Sequence, residues 1–222
     1  MTPPVESSTA SSLNPGTKLA NLPTDSPDEA LFQYGSNCNT GRLNAPERLA
    51  GAAEDRGRAQ TIDEFDLRFD VWSQGNGCAA SDLVPARGTG RQAWGVLYEI
   101  PADLIRGERR DRRKTLTKIE GSLYEEKPVR VRDKDGHEVE EPVTTFVVRH
   151  SNENNTERRA GLWTSADYVG HIVNGLRAHG VEEVAPDYIE HVIDIAVETN
   201  AKAAEMAAEQ SLLIEQLRRP QT

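Results

Sequence analysis

Two short stretches of this sequence carry groups that could do chemistry. The first is Tyr34-Gly35-Ser36-Asn37, directly after the apolar run Ala30-Leu31-Phe32. Gly, Ser and Asn at a strand end make a tight turn, and such turns present backbone N–H groups to a ligand. Successive N–H groups of this kind can cradle an anionic oxygen. The second is Ile119-Glu120-Gly121, followed by Tyr124. Glu120 is a candidate for moving a proton. An ordinary Glu titrates near ~4.3, so burial would have to raise it before it could work near neutrality. Taken alone, a Glu before a Gly reads as a solvated turn residue.

The common catalytic signatures are missing. The histidines (His137, His150, His171, His179, His191) show no metal-ligand spacing, so no metal is expected. There is no Gly-x-Ser-x-Gly elbow, and Ser36 reads as a loop residue rather than a nucleophile. Gly88-Thr89-Gly90 is too short for a dinucleotide fingerprint and reads as a turn. Cys38 and Cys78 are too few for a disulfide framework and read as small semi-buried thiols.

Periodicity outlines the elements that must hold these stretches. Ala30 to Tyr34 reads as a short strand. From Phe65 onward, Leu67, Phe69 and Val71 alternate as a half-buried strand does. Trp94, Val96, Tyr98 and Ile100 form another strand, ending at Pro101. Val129 and Val131 start a further strand, Asp135-Gly136 signals a hairpin turn, and Val143, Thr145 and Val147 return. This gives four or five strands in a mixed or antiparallel curled sheet.

The period then changes. Ser165 is placed to cap a helix carrying Tyr168, Ile172 and Leu176, which Gly180 ends. A second helix starts near Pro186 with Ile189, Val192, Ile193 and Ala196 on its apolar face. It continues through an Ala- and Glu-rich stretch with a thin stripe of Met206, Leu213 and Leu217, suited to packing or self-association. The expected organisation is a disordered Pro/Ser/Thr-rich tail over 1–28, one domain over 29–196 and a helical extension over 197–222.

In order and spacing, these pieces resemble the γ-glutamylcyclotransferase family. Its members carry a YGSN loop near the start, then a segment like "VWGVLYEI", then "DL", then an "LDxxEG" element and a Tyr. Here the counterparts are Tyr34-Gly35-Ser36-Asn37, Ala93-Trp94-Gly95-Val96-Leu97-Tyr98-Glu99-Ile100, Asp103-Leu104, Leu116-Thr117-Lys118-Ile119-Glu120-Gly121 and Tyr124. The C-terminal pattern of Tyr168, Ile172, Gly175, Gly180 and Tyr188 is similar as well, so the resemblance spans about residues 30 to 196. Two departures stand out. Thr117 replaces the usual Asp, and the mostly basic run Arg106 to Lys114 reads as an insertion.

The resemblance implies an α+β fold: a small curled mixed β-sheet, barrel-like, with C-terminal helices. It implies release of 5-oxoproline from a γ-glutamyl amino acid or amide, without a cofactor, by attack of the substrate's own α-amine on its γ-carbonyl. Glu120 would be the catalytic acid/base. Tyr34, Gly35, Ser36, Asn37 and Tyr124 would form the substrate site. The backbone of Gly35 to Asn37 would hold substrate oxygens, Tyr34 would orient the loop, and Tyr124 would either bond the substrate or pack. The alternatives are a cyclotransferase for γ-glutamyl amines or biosynthetic intermediates, and a non-catalytic binding protein that kept the fold.

The totals fit this reading. The chain has 222 residues, net charge -10 and only 36% hydrophobic residues, and its mean hydropathy is -0.63. A net acidic protein repels a phosphate backbone, so a nucleic-acid partner is not expected. The Arg106 to Lys114 run lacks interleaved aromatics for base stacking. No run is long and apolar enough for a membrane span and no export signal is visible. A cytoplasmic enzyme acting on a small γ-glutamyl compound, with a homodimer as an open option, is therefore expected.

Overall fold

A computed structural model of the chain describes residues 26–107, 114–149 and 161–218, without the side chains of 212–218. The elements are β1 (Asp28–Gln33), α1 (Thr40–Leu43), β2 (Glu54–Thr61), β3 (Phe65–Ser73), β4 (Cys78–Pro85), β5 (Trp94–Pro101), α2 (Ala102–Arg106) and α3 (Leu116–Glu120). They continue with β6 (Tyr124–Val129), β7 (Val131–Arg132), β8 (Val143–Val148), α4 (Ala166–Ala178), α5 (Val181–Val184) and α6 (Pro186–Arg218). Of the expected tail over 1–28, residues 1–25 lie outside the described residues and Asp28 already belongs to β1. Most of the basic run, 108–113, also lies outside them.

The main sheet has strand order β6-β8-β1-β5-β2-β7. β1 runs antiparallel to β5 and parallel to β8, so the sheet is mixed. Its curl follows from connectivity. β6 and β7 lie on opposite edges, yet only Arg130 separates Val129 from Val131. Val129 pairs with Val143 on one edge, and Val131 pairs with Thr61 on the other. One short run of chain can serve both edges only if the sheet bends round on itself, as in a barrel. The expected α+β architecture is therefore present.

Two strands escape periodicity for physical reasons. β2 reads Glu-Asp-Arg-Gly-Arg-Ala-Gln-Thr, and its first half is largely exposed. Backbone pairing to β5 and β7 holds it in place of an apolar stripe. β4 is rich in small and polar residues, yet Cys78 to Val84 are all buried. It pairs with β3 in a separate ribbon, and Asp82 Oδ1 accepts a bond from Val148 N–H on β8 (2.9 Å). β5 differs from a half-buried strand: Val96, Leu97 and Tyr98 are buried in succession, so both of its faces are covered.

The C-terminal helices follow the sequence closely. Ser165 Oγ accepts from Tyr168 N–H (3.1 Å), and Gly180 takes the left-handed conformation after α4. Tyr168, Ile172, Val173 and Leu176 of α4 and Ile189, Val192 and Ala196 of α6 join the core. Ile193, expected on the same apolar face, is instead exposed, because it turns away from the core side of α6. α6 continues past that apolar face, and Val197 is already 62% exposed. Met206 packs beside Gly161, whereas the Leu213 and Leu217 side chains lie outside the described residues. Both cysteines are free and fully buried, rather than semi-buried as expected from sequence.

α4 also presses on the turn that follows β1. A Cβ at Gly175 would stand 2.4 Å from the Cys38 carbonyl carbon and 2.6 Å from Asn39 N. No side chain fits there without moving backbone. Gly175→Ala is therefore expected to destabilise the protein by about 1–3 kcal/mol in urea unfolding. A loss under about 0.5 kcal/mol, the usual scatter of neutral surface changes, would contradict this packing.

Candidate active site

The end of β1 delivers the turn. Gln33 and Tyr34 are buried, and Ser36–Cys38 forms a single 3-10 turn closed by Cys38 N–H to Gly35 O (2.9 Å). The Tyr34 hydroxyl donates to Phe146 O at 2.6 Å, which ties the strand end to β8. The Tyr98 hydroxyl lies 3.1 Å from Asn37 O and 3.3 Å from Cys38 O, and Thr40 Oγ1 stands 2.9 Å from it. These bonds fix the peptide planes of the turn from below. Gly35 passes so close to β4 that a Cβ would meet Ser81 Oγ at 2.4 Å.

Glu120 arrives from α3, the short helix that ends at Gly121. Thr117, which stands where the resemblance leads one to expect Asp, donates from Oγ1 to Ile105 O at 2.7 Å and so anchors α3 to α2. The Glu120 carboxylate then meets the turn. Asn37 Nδ2 donates to Glu120 Oε1 at 2.7 Å, across 83 residues of sequence. On the other side of the amide, an Arg48 guanidinium nitrogen donates to Asn37 Oδ1 at 2.6 Å. Arg48 carries only donors, so Asn37 must turn its oxygen to Arg48 and its nitrogen to Glu120.

Protein encloses the carboxyl group although the residue as a whole is only half-buried. Loss of hydration dominates and pushes the Glu120 pKa up to about 7. The nearby Arg48 charge, the Asn37 hydrogen bond, Arg42 and the Gln33 amide, in that order, oppose the rise. The outcome is a carboxyl group poised to exchange a proton near neutrality.

All the residues expected from sequence converge here. Tyr34, Gly35, Ser36, Asn37, Glu120 and Tyr124 line one small chamber of about 20 Å³. Gln33, Ser81, Phe146 and Tyr168 complete its wall. That volume holds about one water-sized group. The Tyr124 hydroxyl donates to Ser81 O (2.7 Å), so its proton is committed to backbone. The Tyr168 hydroxyl accepts from Ser81 N–H (3.1 Å) and lies 3.0 Å from Ser81 Oγ. Burial, chiefly, holds the pKa values of Tyr34, Tyr124 and Tyr168 above the ordinary phenol value, so all three stay protonated near neutrality.

Glu120 and Tyr124 also border a wider cleft of about 660 Å³. Its rim carries Arg42, Arg48, Lys114 and Lys118, with Trp72 among its apolar parts. A larger groove of about 930 Å³ between β3 and α6 shares no lining residue with the chamber. There Asp66 pairs with His191 and Arg91, both at close range (2.7 and 2.8 Å). Among the described residues, no three His, Cys, Asp or Glu side chains converge as metal ligands. No described helix is long and apolar enough to cross a membrane.

Sequence reasoning did not find Gln33, Arg48 or Ser81 as parts of the site, and it read Tyr168 only as a packing residue. No local signal marks Ser81, which the β3–β4 ribbon brings in. Arg48 comes from the turns after α1, 11 residues beyond the Asn37 that it bonds. Gln33 did carry a signal: a polar residue inside an otherwise apolar strand end.

Comparison with known proteins agrees with this architecture. The chain superposes on a γ-glutamyl cyclotransferase with a TM-score of 0.57 and 18% identity, over 74% of this chain and 86% of that one. It matches an uncharacterized protein from Homo sapiens with a TM-score of 0.57 and 19% identity, over 75% and 86% of the two chains. YkqA from Bacillus subtilis matches with a TM-score of 0.56 and 20% identity, over 75% of this chain but 53% of the longer YkqA chain. No protein-family model and no curated protein sequence matches significantly. The chain thus has the γ-glutamyl cyclotransferase fold, as the YGSN turn and its partners led one to expect.

A raised carboxyl pKa has a consequence for stability. Between about 4.5 and 7 the folded state holds a proton on Glu120 that the unfolded state releases. The contribution of this group to stability therefore falls as pH rises through that window. Glu120→Gln keeps the acceptor for Asn37 and removes the buried charge. It should be more stable than wild type at pH 8 by roughly 2–3 kcal/mol, and equal to it near pH 4. Equal stability of the two proteins at both pH values in urea titrations would rule out an enclosed carboxylate.

Proposed function

We propose that the protein is a γ-glutamylcyclotransferase, which releases 5-oxoproline and a free amine from a γ-glutamyl compound. The observation that carries this reading is the Asn37–Glu120 hydrogen bond, which joins the YGSN turn to a carboxyl group titrating near neutrality inside one chamber.

The chemistry follows from what ring closure requires. The substrate carries an α-ammonium group and a γ-amide. Ionised Glu120 takes a proton from the ammonium, and the freed nitrogen attacks the γ-carbonyl carbon. A C–N bond forms and the carbonyl electrons move to oxygen. Collapse of that intermediate breaks the original amide C–N bond, and protonated Glu120 returns the proton to the leaving nitrogen. The second proton of the attacking nitrogen follows the same route, which leaves a ring amide and a protonated amine. Water is neither consumed nor released. The protein's contribution is to fold a flexible substrate into attacking geometry and to place donors around the oxygen.

The cleft suits the leaving side of the substrate. Arg42, Arg48, Lys114 and Lys118 give its rim a positive character that favours an amine bearing a carboxylate. γ-Glutamyl amino acids are thus the proposed substrate class, ahead of simple γ-glutamyl amines.

The test is 5-oxoproline release from γ-glutamyl amino acids, γ-glutamyl amines and glutathione. Wild type should act best on the carboxylate-bearing amines. Its kcat/KM should rise with pH to a plateau above about 7, since the base form of Glu120 starts the reaction. Glu120→Gln should fold normally and lose turnover. Full activity in that variant, or silence of the folded wild type across the panel, would refute the reading.

A further inference from the structure

Gln33 is only 5% exposed, and it ends β1 on the wall of the chamber. Its backbone oxygen is used, since Cys38 Sγ donates to it at 3.0 Å. Its side chain is not. Among the described residues, the buried Gln33 Nε2 has no hydrogen-bond partner. The amide lies near Glu120, and a weak hydrogen-bonding interaction between them favours the charged carboxylate, but no acceptor stands within full hydrogen-bond geometry of Nε2.

A buried donor without an acceptor is costly, and folded proteins rarely tolerate one unless something outside the chain completes it. Here the missing acceptor has a place to sit. The chamber beside the amide takes about one oxygen-sized group, too little for a carboxylate with its carbon. The remaining walls present Ser36, Asn37 and the tyrosines, and Glu120 stands at the mouth toward the cleft.

We propose that the Gln33 side-chain amide is a substrate-binding donor that holds the γ-carbonyl oxygen and stabilises the negative charge it gains during ring closure. This rests on the cyclotransferase reading and adds to it a residue outside the YGSN turn. As the amine attacks, the carbonyl π electrons move to the oxygen, and the Nε2 hydrogen meets that oxygen without transferring to it. When the leaving C–N bond breaks, the electrons return and the bond to Gln33 weakens. The donor thus works most in the transition state, where a neutral amide held in place by burial needs no reorganisation.

The test is Gln33→Met, which keeps length and removes the donor. Gln33→Leu serves as the second variant should the first fail to fold. Steady-state kinetics with the best γ-glutamyl substrate are measured on the high-pH plateau, where a shift in Glu120 titration cannot pass for a lost donor. kcat is expected to fall about 10²-fold, the usual loss for one oxyanion donor, with KM changed less than about 3-fold. The melting temperature should match or exceed wild type, because an unsatisfied donor has been removed. A plateau kcat within about 3-fold of wild type overturns the inference and leaves the cyclotransferase reading intact. A kcat loss that comes with a lowered melting temperature overturns it too, because the side chain then serves only packing. Silence of the wild type itself overturns both.

Discussion

The hydrogen bond from Asn37 to Glu120 is the constraint on which the rest of the site depends. It spans 83 residues and joins a turn at the end of β1 to the last residue of α3. Both ends must arrive within bonding distance while the carboxyl group stays enclosed. Arg48 sets the orientation of the amide from behind. The electrostatic outcome is a balance. Burial pushes Glu120 toward its neutral form, while Arg48 and Asn37 keep the charged form within reach. With the cations alone the group would be a permanent anion and a weak base, and with burial alone a permanent acid. The pair of influences makes one residue able to accept and then return a proton near neutral pH.

The fold supplies the precision this requires. Tyr34 bonds to β8, Tyr98 bonds to the carbonyls of the turn, and α4 lies against the turn at Gly175. These contacts come from different parts of the chain and constrain the same few peptide units. The curl of the sheet is itself enforced by the step from β6 to β7 through Arg130, which hands one chain segment to both edges. The chamber is small because its walls are buried tyrosines and a close approach of Gly35 to Ser81. The cleft beside it is wide and basic. Under the proposed reaction, proton transfer and leaving-group recognition fall to adjacent spaces that share Glu120 and Tyr124.

Much of this was legible in the sequence, for physical reasons that differ from residue to residue. The YGSN turn and the α4 cap are local chemistry, in which a few adjacent residue types suffice to fix backbone geometry. β1, β3 and β5 showed as apolar runs or alternation because they face the core. β2 and β4 did not, since one is held by backbone pairing under charged side chains and the other is buried with small and polar ones. Glu120 could be picked out beside Gly121 and Tyr124, but its raised pKa depends on enclosure by residues from β1, β4 and α4. Ser81 reaches the site only through tertiary packing, and Arg48 reaches it through the irregular turns after α1, whose path no periodicity reveals. The Thr117 departure was visible, whereas its role in anchoring α3 to α2 needed coordinates.

The central claim is that burial, opposed by Arg48 and by the hydrogen bond from the turn, tunes one enclosed carboxyl group to neutrality. The most direct measurement is the NMR titration of the Glu120 side-chain carboxyl carbon in the folded wild-type protein. The account predicts a midpoint near pH 7. A midpoint in the ordinary Glu range, about 4.3, would mean a solvated carboxylate and would contradict it.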